Sequence, residues 1–330
     1  MYFRITAPVK KWGVYNIILF YNNLMSPISR LEEDIKNLKV QGATNVALLV
    51  LDGLNLANEI LKTQKNADPY VFLLERLIRL AFARPAEPLA QNALRFIFHK
   101  KQPSPEEYLQ LASQFKKMIS ESKNKMGKYG SDLITNGGVY LTHCHSSTVS
   151  NMFVSAHKQA KQFRVILTET RPLYQGRITA NELIDAGIKD VTMIIDDVAT
   201  SLLLQNKMKI SGVFIGADLL SQDGFINKVG SLGIAHMANE SHIPVYCSSI
   251  LLKFDPRPYS DELLEHRQSS EIWPDAPLKL QFYTPAFDFV PYSQNIQIIS
   301  EAGILKSHEI KKEALKSYPF ITPSTLPDIN

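Results

Sequence analysis

Two residues in this chain are suited to moving a proton: Cys144 and Asp218. Cys144 lies in Thr142-His143-Cys144-His145-Ser146-Ser147-Thr148, and Asp218 closes Gly216-Ala217-Asp218. A short apolar run at 138–141 leads into the first segment, and periodic Val149, Phe153 and Val154 follow it. Cys144 is therefore expected beside a helix N-terminus, where free N–H groups and partial positive charge favour a thiolate base or nucleophile. The alternative is a buried structural cysteine beside two packing histidines. A metal is not expected. Neighbours at an extended strand end point opposite ways, and no further Cys/His cluster has ligand spacing. Asp218 follows another apolar run, 213–215, and an Asp at a strand tip can shuttle a proton when desolvated.

Groups that could hold an anion sit at similar places. Thr168-Glu169-Thr170-Arg171-Pro172 and Gln175-Gly176-Arg177 follow the run 165–168, and two guanidinium groups there suit bidentate phosphate binding. Asp196 and Asp197 end the run 191–195, with Asp196 the better ligand and Asp197 a helix cap. Asp223-Gly224 reads as a hairpin turn. Asn227 and Lys228 precede a helix, a usual place for an anion.

These groups need a scaffold. From 26 to about 128 apolar residues recur at three- and four-residue spacing, over 28–40, 46–61, 70–83 and 89–98. Ser26-Pro27 is a helix start, and Ser104-Pro105-Glu106-Glu107 is a capping box opening a helix to about 122. The Lys/Ser/Asn/Gly-rich stretch 120–131 is the expected junction between domains. Beyond it short apolar runs (138–142, 165–168, 191–195, 213–215, 245–248, 296–300) alternate with helical segments. That alternation predicts β-α-β crossovers and a mostly parallel sheet, with ligands at the carboxyl ends of its strands. The expected fold is α/β: residues 25–128 a helical N-terminal domain and 129–330 a doubly wound, Rossmann-like domain.

Composition sets the outer limits. A chain of 330 residues, 45% hydrophobic and 21% charged, is an ordinary globular protein of two-domain size. The net charge, 36 − 32 = +4, is too small to imply a nucleic-acid partner but suits a phosphate site. Two cysteines give no disulfide framework, so a reducing compartment, the cytoplasm, is expected. The apolar run 12–25 is broken by three asparagines, lacks a small-x-small cleavage site and is too short for a membrane span. Residues 1–24 are expected to be an extension or a mis-assigned start.

In combination these segments resemble a known superfamily. Thr142-His143-Cys144, Thr168-Glu169-Thr170-Arg171-Pro172 with Gln175-Gly176, Gly216-Ala217-Asp218, and Asn227-Lys228 with Gly230 stand in its order. Lys253-Phe254, 284–291, Arg84-Pro85 and 92–95 extend the match. The superfamily comprises ribose-1,5-bisphosphate isomerases, methylthioribose-1-phosphate isomerases and the α, β and δ subunits of initiation factor 2B. The chain looks most similar to the ribose-1,5-bisphosphate isomerases. The resemblance implies aldose–ketose isomerisation of a 1-phosphorylated pentose, ribose 1,5-bisphosphate to ribulose 1,5-bisphosphate, with Cys144 and Asp218 catalytic. It further implies sugar and phosphate contacts from Gly42, Ala43, Arg84, Ser146, Ser147, Thr148, Asn227, Lys228 and Lys253. Self-association is implied, and no cofactor beyond AMP as an activator. Two departures matter. Gln41 stands where the isomerases carry Arg, losing a charge-assisted contact worth about 1.5–3 kcal/mol. Ala86-Glu87 replaces Thr-Ala or Thr-Ser. Both changes favour the second reading, a non-catalytic regulatory subunit binding a phosphorylated ligand; the Cys144 and Asp218 pair opposes it.

Overall fold

The computed structural model describes residues 26–321; the expected extension, 1–24, lies outside them. Ser26 caps the first helix as expected: its Oγ accepts from the Ser29 amide, and Pro27 fills the first turn. Five helices follow the apolar periodicity: α1 (Pro27–Lys36), α2 (Ala43–Leu61), α3 (Pro69–Ala81), α4 (Pro88–Ile97) and α5 (Pro105–Asp132). Their buried stripes, such as Val46, Val50, Leu54 and Leu61 of α2, meet in one apolar core.

The structure corrects the expected junction. Residues 120–131 are the last turns of the long helix α5, and the boundary at 128/129 falls inside it. The glycines that look like linker residues are packing contacts. A Cβ at Gly130 would lie 2.2 Å from the Met152 sulfur, and one at Gly127 would lie 2.7 Å from the Asn151 amide nitrogen. Both partners belong to α6 (Ser147–Lys158), so the absent side chains let two helices close on each other. Ser104 is the N-cap of α5, but its side chain makes no capping bond, so the expected capping box is not formed.

The rest is a doubly wound sheet, as expected. Strands β1 (Val139–His143), β2 (Arg164–Thr168), β3 (Val191–Ile194), β4 (Gly212–Gly216), β7 (Val245–Ser248) and β9 (Ile296–Ser300) are parallel; β10 (Gly303–Lys306) adds antiparallel to β9. The order is β10-β9-β7-β4-β1-β2-β3. The chain leaves β1 toward β2 and β3, then returns to place β4 on the other side of β1. That reversal opens a crevice between the carboxyl ends of β1 and β4. Between the strands run α6, α7 (Gly176–Asp185), α8 (Val198–Gln205) and α9 (Ser231–Glu240); α10 (Ile310–Ser317) is the last described helix.

A second sheet, β5 (Leu219–Leu220), β6 (Gly224–Lys228) and β8 (Phe287–Pro291), was not expected. Its β5–β6 hairpin turns at Asp223-Gly224 as expected, with the Ser221 hydroxyl accepting from both amides. From β8 the Asp288 carboxylate accepts from the Gly230 and Leu232 amides at 2.8 and 2.9 Å, capping α9. Among the described residues no helix is long and apolar enough to cross a membrane.

Candidate active site

A cavity of about 330 Å³ opens at the β1/β4 crevice and is lined by both proton-transfer candidates, Cys144 and Asp218. Pairing of His143 with Ile215 aligns the two strand ends, so each residue follows its strand into the same space. Gly216 is required there. A Cβ on it would lie 2.8 Å from that of Ser146, the cap of α6.

Cys144 adopts a left-handed backbone, φ 66°, sparsely populated by non-glycine residues. A buried relay holds it. The His143 Nε2–H donates to the Val229 carbonyl at 2.9 Å, which leaves Nδ1 to accept from the Thr168 hydroxyl at 2.8 Å. The Thr170 hydroxyl then donates to Thr168 Oγ1 at 3.0 Å and accepts from the Cys144 amide at 3.0 Å. Burial also lowers the pKa of His143, keeping the ring neutral. Both histidine nitrogens are thus occupied by protein groups, which fits a positioning role.

The expected thiolate is corrected. Burial pushes the Cys144 thiol up to about 11; Lys228 opposes this and Asp218 reinforces it. Desolvation outweighs the helix terminus because the sulfur is enclosed by protein. The thiol points to the Gln175 side-chain carbonyl, 3.7 Å away, and the Gln175 amide donates to Gln41 Oε1 at 3.2 Å.

Other expected contacts divide. Gln41, Gly42, Ala43, Ser146, Ser147, Thr148, Gln175, Asn227, Lys228 and Lys253 all line the cavity. The N-termini of α2 and α6 both open there, presenting the amides expected to hold anions. Asn227 and Lys228 reach it from the end of strand β6, just before α9 as expected. Arg171 does not line it: its guanidinium bonds the Tyr174 hydroxyl and stacks on that ring, beside Arg177. The expected guanidinium fork on phosphate is therefore absent. Asp196 is no ligand either. Its carboxylate accepts from the Thr170 and Arg171 amides at 2.8 and 2.7 Å, pinning the loop that carries Gln175. Asp197 heads α8 without a side-chain cap bond.

Arg84 lines the cavity but is bound by protein carboxylates. Glu265 takes Nε and Nη2 at 2.9 and 3.1 Å, and Glu87 takes Nη1 at 2.7 Å. One cation serving two acids leaves Glu87, the more deeply buried, under-compensated. Burial pushes its carboxyl up to about 8, against the pull of Arg84, and its Oε2 has no hydrogen-bond partner. Glu265 and Arg267 belong to the irregular segment after β7, which the sequence reading did not select. Lys123 was also missed. From α5 it donates to Ser147 Oγ at 3.2 Å, and burial followed by repulsion from Lys253 pulls its pKa down to about 8. No local pattern marks it, since it sits among other lysines of a polar helix end.

Comparison with known proteins accords with this fold. The model of the Initiation factor 2 subunit family matches residues 39–307. The chain belongs to that family. It is 30% identical over 290 residues to the ribose 1,5-bisphosphate isomerase of Archaeoglobus fulgidus, covering 85% of this chain and 90% of that one. It is 31% identical over 300 residues to the methylthioribose-1-phosphate isomerase of Desulforamulus reducens, covering 82% and 85%. Its fold is similar to the crystal structure of the translation initiation factor eIF-2B of Pyrococcus horikoshii, with a TM-score of 0.73, 26% identity, and coverage of 85% and 97%.

Proposed function

We propose that this chain is a sugar-phosphate isomerase interconverting a 1-phosphorylated pentose with its ketose. The observation that carries the reading is the placement of Cys144 and Asp218 in one cavity at the topological switch point. Relatives named for two such substrates support it. Those names share a 1-phosphorylated pentose and differ at C5, one bearing a second phosphate and the other a methylthio group. Ribose 1,5-bisphosphate is the first substrate to assay.

The reaction moves a proton from C2 to C1. Cys144 as thiolate takes the C2 proton and returns it at C1, while Asp218 carries the proton exchanged with the sugar oxygens. Each role is worth about 10²–10⁴-fold in rate. Because its thiol is held up near 11, only a small fraction of Cys144 is ionised at neutrality, and the Lys228 charge favours that fraction. Ser146, Ser147 and Thr148 would seat a phosphate at the N-terminus of α6, with the Lys253 charge in the same cavity.

The test is conversion of pentose 1-phosphates, followed by exchange of the C2 proton in deuterated water. Exchange lost in Cys144→Ser, with ligand binding intact, supports the mechanism; unchanged exchange refutes it. Neutralisation of Arg84 favours a second reading, a regulatory subunit that binds the same ligand without turning it over. Binding without exchange in the wild type would select that reading.

A further inference from the structure

We propose that Gln41 is a positioning residue for Cys144: it sets which end of the Gln175 amide faces the sulfur, and the two amides turn together when the thiol becomes a thiolate. The proposal rests on the isomerase reading above, in which Cys144 acts as a thiolate, and names two residues that control that state.

Three side chains form one chain of contacts. Cys144 Sγ lies 3.7 Å from Gln175 Oε1, within reach of a hydrogen bond for the larger sulfur atom, and Gln175 Nε2 donates to Gln41 Oε1 at 3.2 Å. All three residues line the cavity. This arrangement suits the protonated sulfur alone. A thiol has a proton to give to a carbonyl; a thiolate has none and needs a donor. An amide carries both. A half-turn about the terminal torsion of Gln175, which is broad and two-fold, puts nitrogen where oxygen was. Nε2 then donates to the sulfur, and Oε1 faces Gln41, which turns its own Nε2 inward to donate. Gln41 is exposed, so its outward end meets solvent in either orientation. The proton lost by Cys144 passes to solvent, and two hydrogen bonds are replaced by two.

The backbones around this chain are fixed, which leaves the turn to the side chains. Asp196 holds the Thr170 and Arg171 amides, and the Gly176 amide donates to the Glu169 carbonyl at 3.2 Å. A Cβ at Gly176 would lie 1.8 Å from the Thr168 carbonyl oxygen, so the loop is closed as tightly as glycine allows. Cys144 rests on the same loop, its amide donating to Thr170 Oγ1. At the other end the Asn45 side chain donates to the Gln41 carbonyl at 3.0 Å, at the N-terminus of α2. The charges acting on the sulfur are Lys228 from β6, which favours the thiolate, and Asp218 and Asp196 beyond β4 and β3, which oppose it. The adjoining His145 lies 3.7 Å from Glu182, and burial lowers its pKa. Among the described residues the Gln175 amide is the side-chain group bonded to the sulfur.

The experiment reads the rate of Cys144 alkylation by iodoacetamide against pH, without ligand, in the wild type, Gln41→Arg and Gln41→Glu, each with Gln175 intact and with Gln175→Met. An arginine only donates, so it holds Gln175 Oε1 and turns Nε2 to the sulfur. A glutamate only accepts, so it holds the opposite orientation. One hydrogen bond to the thiolate is worth about tenfold in its population, and a more acidic thiol is a weaker nucleophile. At about pH 8, Gln41→Arg should therefore raise the rate about threefold or more, and Gln41→Glu should lower it by a similar factor. With Gln175→Met the spread between the two should shrink to about twofold. An equal spread in both backgrounds overturns the proposal, because the charge at position 41 would then act directly; so does the lack of any spread. If Gln175→Met does not fold, the spread is measured in about 1 M salt, where exposed charges are screened beyond about 3 Å. A spread that survives supports the paired amides, and one that vanishes overturns them. Alkylation needs no substrate, so failure of the isomerase reading shows separately, as a wild type that reacts at Cys144 but exchanges no C2 proton.

Discussion

The cavity has two walls of different character. The sheet wall, from the strand ends of β1 and β4 to the N-terminus of α6, holds a thiol, a carboxylate, hydroxyls and unmatched lysines. The helical wall, from Gln41 to Glu87, holds a guanidinium already matched by acids. On the proposed isomerase reading, chemistry belongs to the first wall, and the second meets the substrate with a cation that is already paired.

The largest effect should come from the sheet wall. Cys144→Ser or Asp218→Asn should lower kcat by about 10²–10⁴-fold with ligand binding retained, measured by turnover and calorimetry. Loss of binding as well would make both residues structural and dissolve the division between the walls. Next comes the state of the thiol. With its pKa pushed to about 11, alkylation of Cys144 by iodoacetamide should rise about tenfold per pH unit between pH 7 and 9, without a plateau. A plateau near neutrality would show the helix terminus winning over burial.

Lys123→Met should raise KM by about tenfold, the worth of one charged hydrogen bond, with kcat unchanged; an unchanged KM would place the anion site elsewhere. The helical wall should report through stability. Glu87 titrates near 8 in the folded chain against 4.5 as an isolated group, so the folded state holds the extra proton between those values. Stability should fall as pH rises through that window, and the melting midpoint of Glu87→Gln should fall less. Parallel curves would remove Glu87 as a strained acid. The smallest effect belongs to Arg171. Stacked on Tyr174 outside the cavity, it should change kcat/KM within about twofold when replaced by Ala.

The sheet wall was legible because each polar residue directly follows an apolar run, and strand order alone brings Cys144 to Asp218. Gln41 and Glu87 were visible as departures. What they do was not, since Glu265 reaches Arg84 from a segment without periodicity. Arg171 and Asp196 were misread for a related reason. Sequence places them at strand tips but does not say which way a pinned loop turns its side chains. The second sheet escaped because β5 is two residues long and β8 follows an irregular stretch. The junction at 120–131 failed because glycine in a helix contact looks the same as glycine in a linker.

That last misreading bears on how the molecule moves. As one helix of 28 residues, α5 is a rod of about 42 Å that begins among the helices and ends beneath the sheet. It carries Lys123 along its length and is keyed into α6 at Gly127 and Gly130, within one turn, where the Asn151 and Met152 side chains fill the space a Cβ would take. Swinging the walls apart about this segment would mean unwinding it. The rod acts as a fixed axle that ties the helical part of the molecule to the sheet.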